Sequence, residues 1–370
     1  MKDASEYGLK PFEDLQTSTT TVMVYSNVIF NTRRIFENIK ITKIDSPLTK
    51  KQKNVDKKKI NAPYGSIISV QSKTHIRGLD LRKKKKKWCT ICQPVKTVDD
   101  SKIQVLTVTE RLKQENDTDI YAIMYYCSAC DKEYYPSDMK KINHFLNQLT
   151  IVISVGNQPL LNIMMFKDNL KFAGCKNIND AVEAILVLWQ DYIFTGPSDL
   201  WSLKKGAKNP RFIFETVMRN VDFKIGWPIE RPALNYLMNK EIYSKYIFMS
   251  QYESTGHTNV NIKMFSRKPK DFKYDCLVVP IDSSKEPYFI QLDDIPYKSD
   301  KKKAKDLKYD KYVTFIAFSS SEIILSGRYD ENMKDMYNFF VHTVFTHKLS
   351  VEEKMGEIED SKLRKIKKQT

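Results

Sequence analysis

The stretch TFIAFSSSEIILSGR, Thr314 to Arg328, alternates apolar and polar residues on both sides of a serine-rich turn. Period-two alternation is the pattern of a strand with one buried face, and two such runs about a short turn predict a β-hairpin. The first strand ends on Phe318, a bare ring beside the turn. Just downstream, Met333, Tyr337, Phe340 and Val344 recur at helical spacing. They predict an amphipathic helix whose apolar stripe packs on a sheet.

The same layout occurs about half a chain earlier. NIMMFKDNLKFAGCKNINDAVEAILVLWQDYI reads as a strand ending at Phe166, a tight turn, a second strand ending at Gly174, and a helix with Ala181, Ile185, Leu188 and Tyr192 on one face. In the later copy the second strand ends at Gly327. Upstream of each copy lies another matching pair, LQTSTTTVMVYSNVIFNTRRIFENI and FETVMRNVDFKIGWPIERPALNYLMN, each a strand followed by a short helix. YGSIISVQS and TNVNIKMFS supply strand-like runs between these pieces. Recurrence of one layout marks a duplicated unit. Each half therefore predicts strand, helix, strands and long helix, an α+β architecture.

The 370 residues carry 61 Lys and Arg against 45 acidic residues, a formal net charge of +16. Such a balance makes a polyanion the natural partner, although a Lys-, Asn- and Ile-rich composition also follows from an AT-rich genome. No run of eighteen apolar residues occurs, and MKDASEYGLKPFEDLQ has no signal-peptide core, so a soluble, non-secreted protein is expected. The basic runs near residue 51, at 82–87, at 301–311 and in the C-terminal tail lack apolar periodicity and read as loops or ends. RKKKKK at 82–87 abuts a cysteine pair and suits phosphate contact. His75, His144, His257, His342 and His347 form no HxE, HxxxH or Ser-His-Asp arrangement, and the 11 glycines form no phosphate loop. An enzyme is not expected.

Four of six cysteines form two pairs, Cys89 and Cys92 in WCTIC, and Cys127 and Cys130 in YYCSAC. Two CxxC knuckles complete a tetrahedral thiolate shell, so one structural zinc is expected, with disulfides the alternative. Four thiolates leave no open position for catalysis. Cys175 and Cys276 stand alone and read as small buried hydrophobes.

Taken together, both halves resemble the TATA-box-binding protein family, whose repeat carries a strand, Phe, turn, strand, Thr-Gly-Ala-Lys, helix pattern. AFSSSEIILSGR keeps the Phe-to-Gly spacing, while MFKDNLKFAGCK has a hairpin one residue shorter. The cysteine insertion and long loops resemble divergent members from large nucleocytoplasmic DNA viruses of the mimivirus kind. The likeness runs from Leu15 to His347, with an N-terminal tail (1–14), a first repeat (15–195) interrupted by an insertion at about 75–158 holding the zinc-ribbon-like module, a second repeat (196–347) interrupted at about 268–310, and a basic tail (348–370).

The resemblance implies a curved antiparallel sheet, a saddle of two pseudo-symmetric repeats with helices on its convex face. Its concave face would lie in the minor groove of A·T-rich promoter DNA. That groove is a poor sequence code, so the family bends the duplex and wedges rings between base steps. The wedges implied are Phe318 and Phe166. The second wedge of each half aligns with Asn259 and Tyr64, Tyr64 being preferred over Leu149 because both insertions then fall at one connection. Thr17 and Thr216 take the place of the family's groove-reading Asn pair, which puts strict TATA preference in doubt. Met164, Ala173, Ile316 and Ser326 match its small apolar groove positions, and Lys176 and Arg328 follow the glycines. Implied partners are a TFIIB-like factor and viral RNA polymerase, with no membrane or small-molecule substrate. The implied location is a viral factory in host cytoplasm or nucleus, with packaging in the virion a further option. The competing reading is a platform that has lost tight DNA binding, favoured by the altered Asn pair and the missing fourth ring.

Purified protein should contain one zinc per chain by metal analysis. Cys89→Ser or Cys127→Ser should lose it and destabilise the insertion while largely sparing the repeats; metal-free wild-type protein that is otherwise folded would remove the zinc module.

Overall fold

A computed structural model of the chain describes residues 2–44, 60–72, 75–79, 105–115, 118–127, 132–134, 148–155, 160–252, 259–298 and 311–353, with backbone alone for the three segments between 105 and 134. In the first half β1 (Thr17–Ser26), β2 (Val28–Phe30), α1 (Thr32–Asn38), β3 (Ile67–Gln71), β4 (His75–Gly78), β5 (Val105–Glu115), β6 (Thr118–Cys127), β7 (Lys132–Tyr134), β8 (Leu149–Ile153), β9 (Leu161–Met165), β10 (Asn169–Cys175) and α2 (Ile178–Val187) follow one another. The second half adds β11 (Trp201–Leu203), β12 (Arg211–Lys224), α3 (Arg231–Met238), β13 (Ile247–Tyr252), β14 (Asn259–Ser266), β15 (Tyr274–Val278), β16 (Tyr288–Leu292), β17 (Lys311–Phe318), β18 (Glu322–Gly327) and α4 (Asp330–Thr346).

The chain divides into two bodies, each an antiparallel sheet with helices. The first-half body holds Val22–Glu215 and Tyr274–Tyr297; the second-half body holds Met1–Thr21, Thr216–Lys273 and Lys298–Thr370. The strand order in the first is β1-β10-β9-β8-β3, continuing to β4, β6 and β5; in the second it is β12-β18-β17-β14-β13. Position for position this is one topology used twice. The α+β class and the antiparallel sheets agree with the sequence reading.

Why the long helices form is local. Asn177 caps α2 by accepting from the Asp180 N–H, while the Asp180 carboxylate accepts from the Asn177 N–H, a reciprocal capping box that satisfies helix-end donors. Acidic Asp330 and Glu331 open α4, where negative charge complements the helix dipole. Met333, Tyr337, Phe340 and Val344 are all buried, as are Ala181, Ile185 and Leu188. Phe340 stacks on Phe315 at 4.5 Å, and Tyr337 meets Phe223 edge-on at 4.9 Å. The two repeat glycines do different jobs. Gly174 has φ +97, a left-handed conformation that favours glycine, whereas a Cβ on Gly327 would sit 2.4 Å from Met333 Cγ.

Three boundaries differ from the sequence reading. The N-terminal tail is packed: Ala4 and Phe12 are buried in the second-half core, Tyr337 donates to the Lys10 carbonyl at 2.8 Å, and Lys334 pairs with Glu13. The first insertion ends earlier, because Leu149–Ile153 pairs with Leu161–Met165 as part of the repeat sheet. The second insertion contributes β15 and β16, with β15 pairing to Arg211–Ile213 of β12 in the first-half body.

Because the Gly327 constraint is steric, Gly327→Ala should cost roughly 1–3 kcal/mol in urea unfolding, the range for overpacking. The same substitution in a Met333→Ala background should cost clearly less, a non-additivity that a double-mutant cycle reads directly.

Candidate nucleic-acid interface

Strand alternation gives each sheet two faces. In the second-half body Val313, Phe315 and Ala317 of β17, Ile323 and Leu325 of β18, and Val260, Ile262 and Met264 of β14 are buried in the core with α4. Their alternates form the open face. Across it run the rows Asn259–Phe318, Asn261–Ile316–Ile324–Asp222 and Lys263–Thr314–Ser326–Asn220. Two isoleucines at the centre are thus flanked by amides and hydroxyls. Ser326 Oγ donates to Asn220 Oδ1 at 2.7 Å, while Asn261 Oδ1 is buried with no partner among the described residues. Phe318 is half-buried at the hairpin end, next to a turn in which Ser321 has φ 72. Ser319 and Ser321 carbonyls accept from Ile229 and Ile225 N–H groups, which pins that turn and the ring beside it.

In the first-half body the matching rows are Thr150–Met164–Lys171 and Val152–Asn162–Ala173. Met164 therefore occupies the place of Ile316, and Ala173 that of Ser326. Phe166 is half-buried one residue past β9, its N–H donating to the Asn169 carbonyl at 2.8 Å across the shorter turn. Since Met165 pairs with Leu149, the residue beside Phe166 is Gln148. Both halves thus combine one ring with one amide, Phe318 with Asn259 and Phe166 with Gln148. Leu149 itself is buried in the core.

This face is only partly open. Ile68 and Val152 are buried with Ile60, and Ile44, Ala62, Leu79 and Leu160 pack against them. Val152 lies between the core residues Ile151 and Ile153, so this second small core covers the face opposite the helices.

The structure corrects the register chosen for Tyr64. Tyr64 precedes β3, and the strand paired with β9 is β8. Its ring is 64% exposed, its hydroxyl donates to Glu183 of α2 at 2.5 Å, and this bond pushes the phenol up to about 12. It therefore belongs beside a helix rather than beside Phe166. Thr17 is also engaged elsewhere: its hydroxyl accepts from Arg219 Nε at 2.9 Å, and that guanidinium pairs with Asp330 of α4 and lies 5.7 Å from the Phe12 ring. Thr216 is half-buried on β12. Lys176 is exposed, with its N–H donating to Asp180 Oδ2, and Arg328 is half-buried with its guanidinium 5.1 Å from the Tyr329 ring. Asn220, Asn261 and Gln148 did not stand out in the sequence. Period-two counting outward from Phe318 and Phe166 would have found them once the strand partners were known.

Cys89, Cys92 and Cys130 lie outside the described residues, as do the basic runs at 51–59 and 82–87. Cys127 ends β6, where it pairs with Lys132 of β7. Cys175 and Cys276 are buried. Burial pushes the Cys175 thiol up to about 12 and the Cys276 thiol up to about 11, so neither is a ready nucleophile. Among the described residues no helix is long and apolar enough to cross a membrane.

No family model matches the chain. It is similar to the uncharacterized protein 335L of Invertebrate iridescent virus 6, 26% identical over 217 residues, which is 54% of this chain and 60% of that protein's length.

Cysteines placed singly along β17 should report the two faces. Thr314→Cys, Ile316→Cys and Phe318→Cys should react with a thiol reagent well above the wild-type background. Phe315→Cys and Ala317→Cys should stay near it until the protein is unfolded. Uniform reactivity along the strand would mean that the faces are assigned wrongly.

Proposed function

We propose that the protein is a DNA-binding transcription-initiation factor of the TATA-box-binding protein kind, built as a saddle of two repeats and acting on A·T-rich promoter DNA through the minor groove. The observation that carries the reading is the ring at the end of the equivalent hairpin in each body, on the face away from the helices. Beside it stand apolar residues flanked by amides and hydroxyls: Ile316 and Ile324 with Asn261, Asn220 and Ser326, and Met164 and Ala173 with Asn162 and Thr150. A ring that replaces base stacking and amides that reach groove acceptors are the two devices minor-groove binding needs. The net charge of +16 supplies the non-specific attraction to phosphates. Zinc held by Cys89, Cys92, Cys127 and Cys130 would hold the inserted module together. A TFIIB-like factor and viral RNA polymerase follow as partners, and a relative in an iridescent virus is in keeping with a viral setting.

A second reading, a platform with weak or non-specific DNA binding, is favoured by specific departures. An amide stands where a second ring is implied in each half. Thr17 is occupied by Arg219. Part of the first-half face is covered by the Ile60–Ile68–Val152 core.

The two readings separate on single substitutions. Phe318→Ala and Phe166→Ala should each weaken binding to A·T-rich duplex by roughly 1–3 kcal/mol, the range for lost base–aromatic stacking, and should reduce the bend seen by fluorescence energy transfer between duplex ends. Asn259→Phe should restore a ring pair and increase the bend, while Tyr64→Ala should change neither quantity. Unaltered affinity and bend in both Phe→Ala variants would leave the platform.

A further inference from the structure

At the opposite end of β14 and β17 from Phe318, the open face of the second-half body carries three aromatic rings. Phe248 and Tyr312 stack at 4.7 Å with their planes 30° apart, and Phe265 meets Phe248 edge-on at 5.7 Å. Lys263 Nζ lies 5.9 Å from the centre of the Tyr312 ring. Phe265 and Tyr312 are direct cross-strand partners. Phe248 joins them where β13 shifts register between Ile247 and Met249, a bulge of the kind that re-aims a side chain. Despite this mutual packing Phe248 remains 49% exposed and Phe265 39%. Rings of this size normally contribute their area to a core or an interface.

The duplicated topology provides an internal comparison. By strand pairing, Lys263 opposite Thr314 corresponds to Val152 opposite Asn162. In the first half that corner of the face is aliphatic and covered by its own chain: Ile60, Ile68 and Val152 bury one another, with Ile44, Ala62, Leu79 and Leu160 around them. In the second half the corner is aromatic, bears a cation and stays exposed. Its chain neighbourhood is strongly basic. Lys263, Arg267, Lys268 and Lys270 occur without an intervening acid, Lys311 opens β17, and Lys245 stands two residues before β13. The first half meets its own chain segment there with aliphatic side chains and no surplus charge. Flat faces with a cation against them, in a basic stretch of chain, match a ligand with π-faces and an anionic backbone.

We propose that Phe248, Phe265 and Tyr312, with Lys263, form a stacking site for the unpaired bases of a single-stranded nucleic acid. The site uses base faces and phosphates rather than groove edges, so it is sequence-tolerant and does not depend on the minor-groove reading.

The test measures binding of the full-length protein to a short oligothymidylate and to an abasic sugar-phosphate oligomer of equal length. Wild-type protein is expected to prefer the oligothymidylate by about tenfold to a hundredfold, since stacking is worth that much per base. Phe248→Leu combined with Phe265→Leu keeps apolar volume but removes the rings. It should abolish most of that preference while leaving abasic binding and the melting temperature near wild type. Tyr64→Ala, which removes an exposed ring beside α2, should leave the preference intact, and a 2-aminopurine placed in the strand should be quenched on binding to wild type. Equal wild-type affinity for the two oligomers overturns the proposal, as does an unquenched probe. Leucine variants that keep the base preference also overturn it, and would mark the patch as a protein-docking surface instead. Duplex affinity measured in parallel keeps the two readings apart: its loss with the base preference intact counts against promoter binding alone.

Discussion

Phe315 stacked on Phe340 at 4.5 Å fixes which way the β17–β18 hairpin faces. A strand shows alternate residues to alternate sides, and a slip of one residue would exchange the faces completely. With Phe315 held by α4, Val313 and Ala317 must also point inward, and Thr314, Ile316 and Phe318 must point away. The same logic passes through the ladder to Asn261 and Lys263 on β14 and to Asn220 on β12. In the first half, Ile163 and Met165 of β9 and Leu170 and Phe172 of β10 lie in one core with Ala181 and Ile185 of α2, leaving Met164 and Ala173 on the far side. The open face is therefore a by-product of core packing, and every residue on it inherits its direction from a buried neighbour.

Duplication sets the topology, but what happens on the far face is decided locally. In the first-half body a few aliphatic side chains, Ile60, Ile68 and Val152, close part of it. In the second-half body the equivalent corner holds Lys263 and three rings, and no described segment buries Phe248 or Phe265. The glycines diverge in the same way. Gly174 is required by a left-handed backbone and Gly327 by the closeness of Met333, so one motif position is kept for two unrelated physical reasons.

Much of the fold was legible in the sequence because it rests on short-range periodicity. The hairpin at Thr314–Arg328, its earlier copy and both long amphipathic helices follow from alternation and helical spacing, which need no knowledge of distant contacts. Strand pairing across an insertion is different. Tyr64 and Leu149 both begin runs that alternate well, and only the non-local pairing of β8 with β9 distinguishes them. Equal placement of the two insertions favours Tyr64 by symmetry, yet the first insertion enters between β3 and β8 and the second between β14 and β17. Phe318 and Phe166 were legible as rings at hairpin ends. Asn259 pairs with Phe318 through the ladder, while Gln148, one residue before the Leu149–Met165 pair, could not be identified until its strand was fixed. The engagement of Thr17 by Arg219 was equally invisible, because it depends on the N-terminal segment folding against α4.

The pairing of one ring with one amide at both hairpin ends has an energetic logic on the DNA-binding reading. Two adjacent rings would wedge a base step more deeply, but both would stand partly in water before binding, and exposed apolar area favours self-association. An amide in the second position can hydrogen-bond in the free protein, as Gln148 Nε2 does by donating to Thr150 Oγ1 at 3.0 Å, and can exchange such a bond for a base-edge acceptor in the complex. Its net gain is smaller than that of a stacked ring, since hydrogen bonds to water are lost as new ones form. The trade therefore lowers the driving force for kinking while retaining a polar contact, and it does so equally beside Phe318 and Phe166. A duplex that already bends readily, such as one with flexible pyrimidine–purine steps, needs less wedging. On this physical ground, selectivity would shift from deep intercalation toward deformable A·T-rich sequence.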